Sequence, residues 1–223
     1  MIGQPLTARQ EQVVAATVHH VRGLLDGEGT GHDWWHIERV WRLAIHIGQA
    51  EDADPFVVTL AALLHDIADW KFHGGDLDAG PRAARAWLRS QNVDESVVDH
   101  VCAVVAQVSF KGALVPDAPG SREAMVVQDA DRLDALGAIG IARAFAYGGS
   151  QNRSLYDPRV IPNAHVSFEA YRASRGTTIN HFHEKLLLLR DRMHTPTARA
   201  IAAERHEFMV QFLERFLAEW EGR

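Results

Sequence analysis

The chain has 223 residues, 47% of them apolar, with 23 basic and 29 acidic side chains and a formal charge of -6. That length suits one well-buried domain, and the negative balance offers no basic field for a nucleic-acid polymer or a membrane surface, so neither is expected as a partner. One cysteine, Cys102, excludes an internal disulfide and fits a reducing compartment; with no signal-peptide core and no run of roughly 18 apolar residues, a cytoplasmic location is expected.

Thr7 reads as the N-cap of a first helix over residues 7–25, with Val14, Val18, Val21 and Leu25 at helical spacing. Three glycines between Asp26 and Gly31 then break the chain. A second helix, residues 32–50, sets Trp34, Ile37, Trp41, Ala44, Ile45 and Gly48 along one face. It also carries His32 and His36 four apart, with Arg39 a further three along, so these side chains are neighbours. Arg39 is placed to meet either a substrate phosphate or a surface acid.

Asp54-Pro55 starts a third helix as N-cap and N1. Its apolar stripe, Phe56, Leu60, Leu63, Leu64 and Ile67, leads into His65-Asp66, with Asp69 and Lys71 close behind and a turn at Gly74-Gly75. Helices over residues 78–91 and 93–108 follow, rich in Ala and Val, and read as scaffold in which Cys102 is a small core residue. Residues 110–120, with two prolines and two glycines, read as a loop. A long helix over residues 121–147 then carries Asp129, Asp131 and Asp134, with Met125, Val126, Leu133, Leu136 and Ile139 on its buried side. Residues 148–178 are the least regular stretch, a connection long enough to be a lid, a subunit interface or a solvated loop.

A helix over residues 179–193 turns Phe182, Leu186, Leu189 and Met193 inward, with Lys185 beside that stripe. Thr195-Pro196 opens the last helix, whose stripe is Ile201, Arg205, Phe208, Phe212, Phe216 and Trp220. Arg205 interrupts it: an inward guanidinium binds a carboxylate or a phosphate in two places, unless its stem snorkels to the surface. No strand-like alternation competes with these patterns. The expectation is an all-α domain spanning residues 1–223 with about eight or nine helices.

The chemistry starts from His65-Asp66. Burying an imidazole and a carboxylate without a partner costs several kcal/mol by rough transfer estimates, so an otherwise apolar helix needs a reason to carry both. A shared divalent cation is one. The pair subtends about 100° on a helix and supplies too few donors for four or six coordination. Further donors have two sources, the His32 to His36 stretch and the Asp129 to Asp134 stretch. The three aspartates cannot all face one ion, because positions two apart point about 200° from each other.

His36, then His65-Asp66, then Asp131 resemble the H…HD…D signature of the HD-domain metal-dependent phosphohydrolases. The segments GHDWWHIERV, LAALLHDIADWKF, VVQDADRLDALGAIGIARAF and INHFHEKLLLLRDRM are similar to small bacterial HD hydrolases, some of them nucleotide pyrophosphohydrolases, and cover the chain from about Gly31 onward. The resemblance implies that His36, His65, Asp66 and Asp131 hold one divalent ion (Mn, Mg, Fe, Co or Ni) in a metal core over about residues 31–147, with helices 179–222 packed on it. His32 and Asp33 then orient His36 or cap its helix. The resemblance also gives Asp69, three after Asp66, a part in activating water. Arg39, Lys71, Lys185 and Arg205 are the candidate substrate contacts.

The implied activity is hydrolysis of nucleoside or deoxynucleoside triphosphates to monophosphate plus diphosphate. The alternatives are a nucleotide phosphomonoesterase, a phosphodiesterase or alarmone hydrolase, and a metal-nucleotide sensor without turnover. A homodimer is the expected assembly if the 148–178 segment is an interface.

Overall fold

A computed structural model describes residues 5–25, 33–68, 76, 78–108, 119–162 and 176–223. Among the described residues there are nine α-helices and no strand, so the fold is all-α as expected. The helices are α1 (Ala8–Leu25), α2 (Trp34–Ala50), α3 (Pro55–Leu64), α4 (Ala79–Ser90), α5 (Glu95–Val108), α6 (Arg122–Asp134), α7 (Gly137–Ser150), α8 (Thr178–Glu184) and α9 (Pro196–Trp220), with a 3-10 helix, Leu186–Arg192, between the last two. They form two compact units: one takes in α1 to α5 and α6 as far as Asp131, and the other begins at Arg132. The 26–31 break, His32, Asp69, Lys71, the Gly74-Gly75 turn, most of the 110–120 loop and residues 163–175 lie outside the described residues.

In the first unit, the helix starts follow from side-chain oxygens that satisfy the unpaired first N–H groups. Thr7 Oγ1 accepts from the Gln10 amide while Gln10 Oε1 accepts from the Thr7 amide, a reciprocal box that starts α1. Asp54 Oδ1 accepts from the Phe56 and Val57 amides at 2.8 and 3.1 Å, and Pro55 occupies N1 of α3. Every residue of α3 from Phe56 to Leu64 is buried. Leu60, Leu63 and Leu64 are completely so, each contributing about 1.5–3 kcal/mol. This central helix packs against α1, α2 and α5.

A Cβ on Gly48 of α2 would lie 3.6 Å from Val58 of α3 and 3.7 Å from Val126 of α6, so these three helices meet at close range. α1 buries Val13, Thr17 and Val21, a stripe rotated from the expected one that begins at Val14. Thr17 tolerates burial because its hydroxyl donates to the Val13 carbonyl and accepts from Trp87 Nε1 of α4 at 2.9 Å. Cys102 is buried in α5, its Sγ against the Pro81 carbonyl, and burial pushes its thiol up.

The second unit departs further from the pattern. The single helix expected over 121–147 is two, separated at Ala135-Leu136. Leu136 turns extended to bury its side chain, and Gly137 takes φ +72. A Cβ on Gly140 would come within 2.2 Å of the Ala135 carbonyl oxygen, so the turn closes only over a glycine. Ile139 is consequently exposed, not core. Across the break, Arg143 Nη1 donates to the buried Asp134 Oδ2 at 2.6 Å, and Arg205 Nη1 donates to the Leu133 carbonyl at 2.5 Å.

The helix expected over 179–193 also divides, at Lys185. Its inward residues Phe182, Leu186, Leu189 and Met193 are buried as expected, the last turns tightening to a spacing of three. In α9 the buried positions are Ala198, Ala202, Met209 and Leu213, with small residues permitting close approach, while Phe208 and Trp220 from the expected stripe are each 50% exposed. Phe145 lies about 6 Å from Phe182, Phe212 and Phe216, and Phe212 about 6 Å from Phe182 and Phe216, with the Phe182–Phe212 rings stacked and the other pairs tilted or edge-on.

Two predictions follow from the second unit. Gly137→Ala forces a side chain into the left-handed region and to 3.1 Å from Arg205 Cγ, and is expected to lower stability by at least about 1–2 kcal/mol, read as a lower urea midpoint at unchanged slope. His181 on α8 is pushed down to about 3 by burial and by the positive charges of Lys185 and Arg153. Its unfolded value is the higher one, so the unfolded chain binds the extra proton. Stability is full above pH about 6.5 and falls as pH drops toward 3, by at most about 1.4 kcal/mol per pH unit. Urea midpoints should show that slope, and His181→Gln should flatten it.

Candidate metal centre

His36, His65, Asp66 and Asp131 all lie in the first unit, positioned by three local devices. At the start of α2, Asp33 Oδ1 accepts from the His36 amide at 2.9 Å, so the capping bond fixes the backbone of the histidine itself. Trp34 and Ile37, both buried, anchor the turn on either side. His65 and Asp66 follow the last residue of α3, where the Ile67 amide returns to the Leu64 carbonyl and the apolar helix ends. Asp131 stands in the last turn of α6, whose Val126, Val127, Ala130 and Leu133 are completely buried. Gln128 Nε2 ties α6 to α5 through the Gln107 carbonyl at 2.9 Å.

These devices converge. His36 Nε2 and His65 Nε2 are 3.4 Å apart. Asp66 Oδ2 lies 3.6 Å from each of them, and Asp131 Oδ1 lies 3.5 Å from His36 Nε2 and 3.9 Å from His65 Nε2. His65 Nδ1 is 2.8 Å from the Ala62 carbonyl. An N–H donated there leaves the Nε2 lone pair facing the cluster, the arrangement metal-ligating histidines use. Both imidazoles are buried. Of the three aspartates on α6, Asp129 is wholly buried and Asp134 is taken by Arg143, while Asp131, with 28% of its side chain exposed, reaches the histidines.

Two nitrogen lone pairs and two carboxylates carry a charge of about -2 with both imidazoles neutral, a mixed set suited to a borderline or hard divalent ion. The spacing fits as well: a point equidistant from His36 Nε2, His65 Nε2 and Asp131 Oδ1 lies about 2.1 Å from each, the usual bond length to such ions. His36, His65 and Asp131 could hold a metal ion, and Asp66 Oδ2 lies beside both imidazoles.

The remaining sequence candidates fall in different places. Arg39 is half-buried one turn along α2 from His36. Lys185, half-buried, and Arg205 belong to the second unit; Arg205 has its Nη1 on the Leu133 carbonyl, and burial pushes it down while Asp134 opposes the shift. Asp69 and Lys71 lie outside the described residues. The Ala62 carbonyl that orients His65 is a backbone group, which no pattern of side chains announces.

This helical frame, with its clustered histidines and aspartates, defines a class. The chain belongs to the HD domain family, whose match covers residues 34–136. It is 39% identical over 208 residues to YpgQ of Bacillus subtilis, covering 91% of each chain. Among solved structures, a Lactobacillus plantarum protein aligns with a TM-score of 0.83 at 39% identity, over 98% of this chain and 100% of that one. An HD-superfamily hydrolase from Bacillus thuringiensis aligns with a TM-score of 0.76 at 39% identity, over 96% and 100%. YpgQ itself has been solved in complex with ADP, and that structure aligns with a TM-score of 0.75 over 95% of this chain and 96% of that one.

Loss of an outer partner at a metal site costs about 10- to 100-fold in affinity, so loss of a donor should cost at least about 100-fold. His65→Ala and Asp131→Ala are therefore expected to lose Mn binding by that margin in calorimetry on chelator-stripped protein, with the helical circular dichroism unchanged.

Proposed function

We propose that the chain is a metal-dependent phosphohydrolase that converts nucleoside or deoxynucleoside triphosphates to the monophosphate and diphosphate. The observation that carries the reading is the convergence of His36, His65, Asp66 and Asp131 within 3.9 Å of the paired imidazole nitrogens. These four would hold one divalent ion, Mn, Mg, Fe, Co or Ni. Such an ion polarises a phosphoryl oxygen and lowers the pKa of a water. The ADP complex of YpgQ supports a nucleotide as the substrate class.

In this reading Asp69 accepts the proton of the water that attacks the α-phosphorus, and the bond from that phosphorus to the bridging oxygen of the diphosphate breaks. Arg39, Lys71, Lys185 and Arg205 are the cations available to take up the charge that spreads onto the non-bridging oxygens. A cytoplasmic setting is consistent with the single buried cysteine, and among the described residues no helix is long and apolar enough to cross a membrane.

Phosphorus NMR of a nucleoside triphosphate reaction with Mn present tests the proposal. Diphosphate and monophosphate in equal amounts are expected, whereas orthophosphate as the inorganic product would favour a phosphomonoesterase. Asp69→Ala should retain the metal and lose about 10²- to 10⁴-fold in kcat, and full activity in that variant would remove its assigned role.

A further inference from the structure

The opening turns of α2 carry more than a metal donor. Of its adjacent tryptophans, Trp34 is 7% exposed, with the Arg22 guanidinium 5.8 Å over its ring, while Trp35 is 58% exposed. Trp35 is the residue immediately before His36. On a helix of 100° per residue, with Trp35 at 0°, Arg39 falls at about 40° one turn on and His36 at about 100°. An aromatic face, a guanidinium and an imidazole donor therefore stand side by side over less than half the circumference of one helix. That cylinder, side chains included, is only about 10–12 Å across, so the indole lies within about a nucleotide's length of the donors. Among the described residues no aromatic ring stacks on Trp35.

We propose that Trp35 is the base-stacking platform of the site, with Arg39 one turn along the same face, where the ribose phosphate would pass. The assignment rests on the nucleotide reading above and adds to it the residue that grips the base. Stacking uses the π-face common to all bases, so Trp35 gives affinity for nucleotides over plain polyphosphates while discriminating weakly among bases. Exposure is then functional: the indole is kept out of the core and next to the donors, where a planar ligand covers it.

The test is fluorine NMR of the full chain labelled with 5-fluorotryptophan, the Trp35 resonance being assigned from Trp35→Phe. The Mg-loaded protein is titrated with ADP and, separately, with inorganic diphosphate. ADP should move the Trp35 resonance and diphosphate should leave it in place. Trp35→Ala should weaken ADP binding about fivefold to hundredfold without changing diphosphate or Mn affinity, and Trp35→Phe should restore most of the loss. ADP binding with Trp35 unmoved, or an equal loss of ADP and diphosphate affinity in Trp35→Ala, would overturn the platform and leave the nucleotide reading standing. A resonance that moves with protein concentration instead of ADP would put Trp35 at an interface between copies and overturn it likewise. Failure of the wild-type protein to bind ADP at all would bring down the nucleotide reading itself.

Discussion

Two carboxylates crowded against two buried imidazoles form the constraint on which the first unit depends. Asp66 and Asp131 each place an oxygen within 3.9 Å of both ring nitrogens, and imidazoles and carboxylates gathered in a partly desolvated place lose hydration. A divalent cation converts this cost into a binding energy. The scaffold has to hold these polar groups in a place largely closed to water, which fits a helix α3 buried from Phe56 to Leu64 and a His36 fixed by its helix cap.

The order of the elements serves that convergence. His36 is near the beginning of its helix, His65 and Asp66 come just past the end of theirs, and Asp131 stands in a last turn, so all four donors come from helix termini. A terminus lets a polar side chain leave an apolar helix without interrupting its stripe, and the cores of α2, α3 and α6 remain closely packed where Gly48, Val58 and Val126 meet. Beyond Asp131, α6 continues for three residues before the break at Ala135-Leu136. There a buried Asp134–Arg143 pair and an arginine on the Leu133 carbonyl hold the end of the helix. Paired charges in a buried place cost more to break than they return when formed, so they fix one geometry.

Much of this was legible in advance because its causes are local. The caps at Thr7, Asp54 and Thr195 are bonds between a side chain and an amide two or three residues on, and composition and spacing encode them directly. The same holds for the apolar run leading into His65-Asp66. Where sequence reading went astray, a distant contact had overridden periodicity. The break in the 121–147 helix is marked only by glycines, which also occur in unbroken helices. The inward face of α9 follows from the room that Ala198 and Ala202 give for close approach, and the larger phenylalanines of the expected stripe take flanking positions.

The sequence by itself determined an all-α chain, most helix starts and the short list of side chains able to hold an ion, since capping, periodicity and donor chemistry act within a few residues. Spacing left Asp129, Asp131 and Asp134 open and the family resemblance pointed to Asp131; only the tertiary structure set Asp131 beside the histidines, aimed His65 through the Ala62 carbonyl and left Trp35 in solvent while burying Trp34. Those choices depend on which surfaces meet after residues far apart along the chain have packed, and no local pattern carries that information.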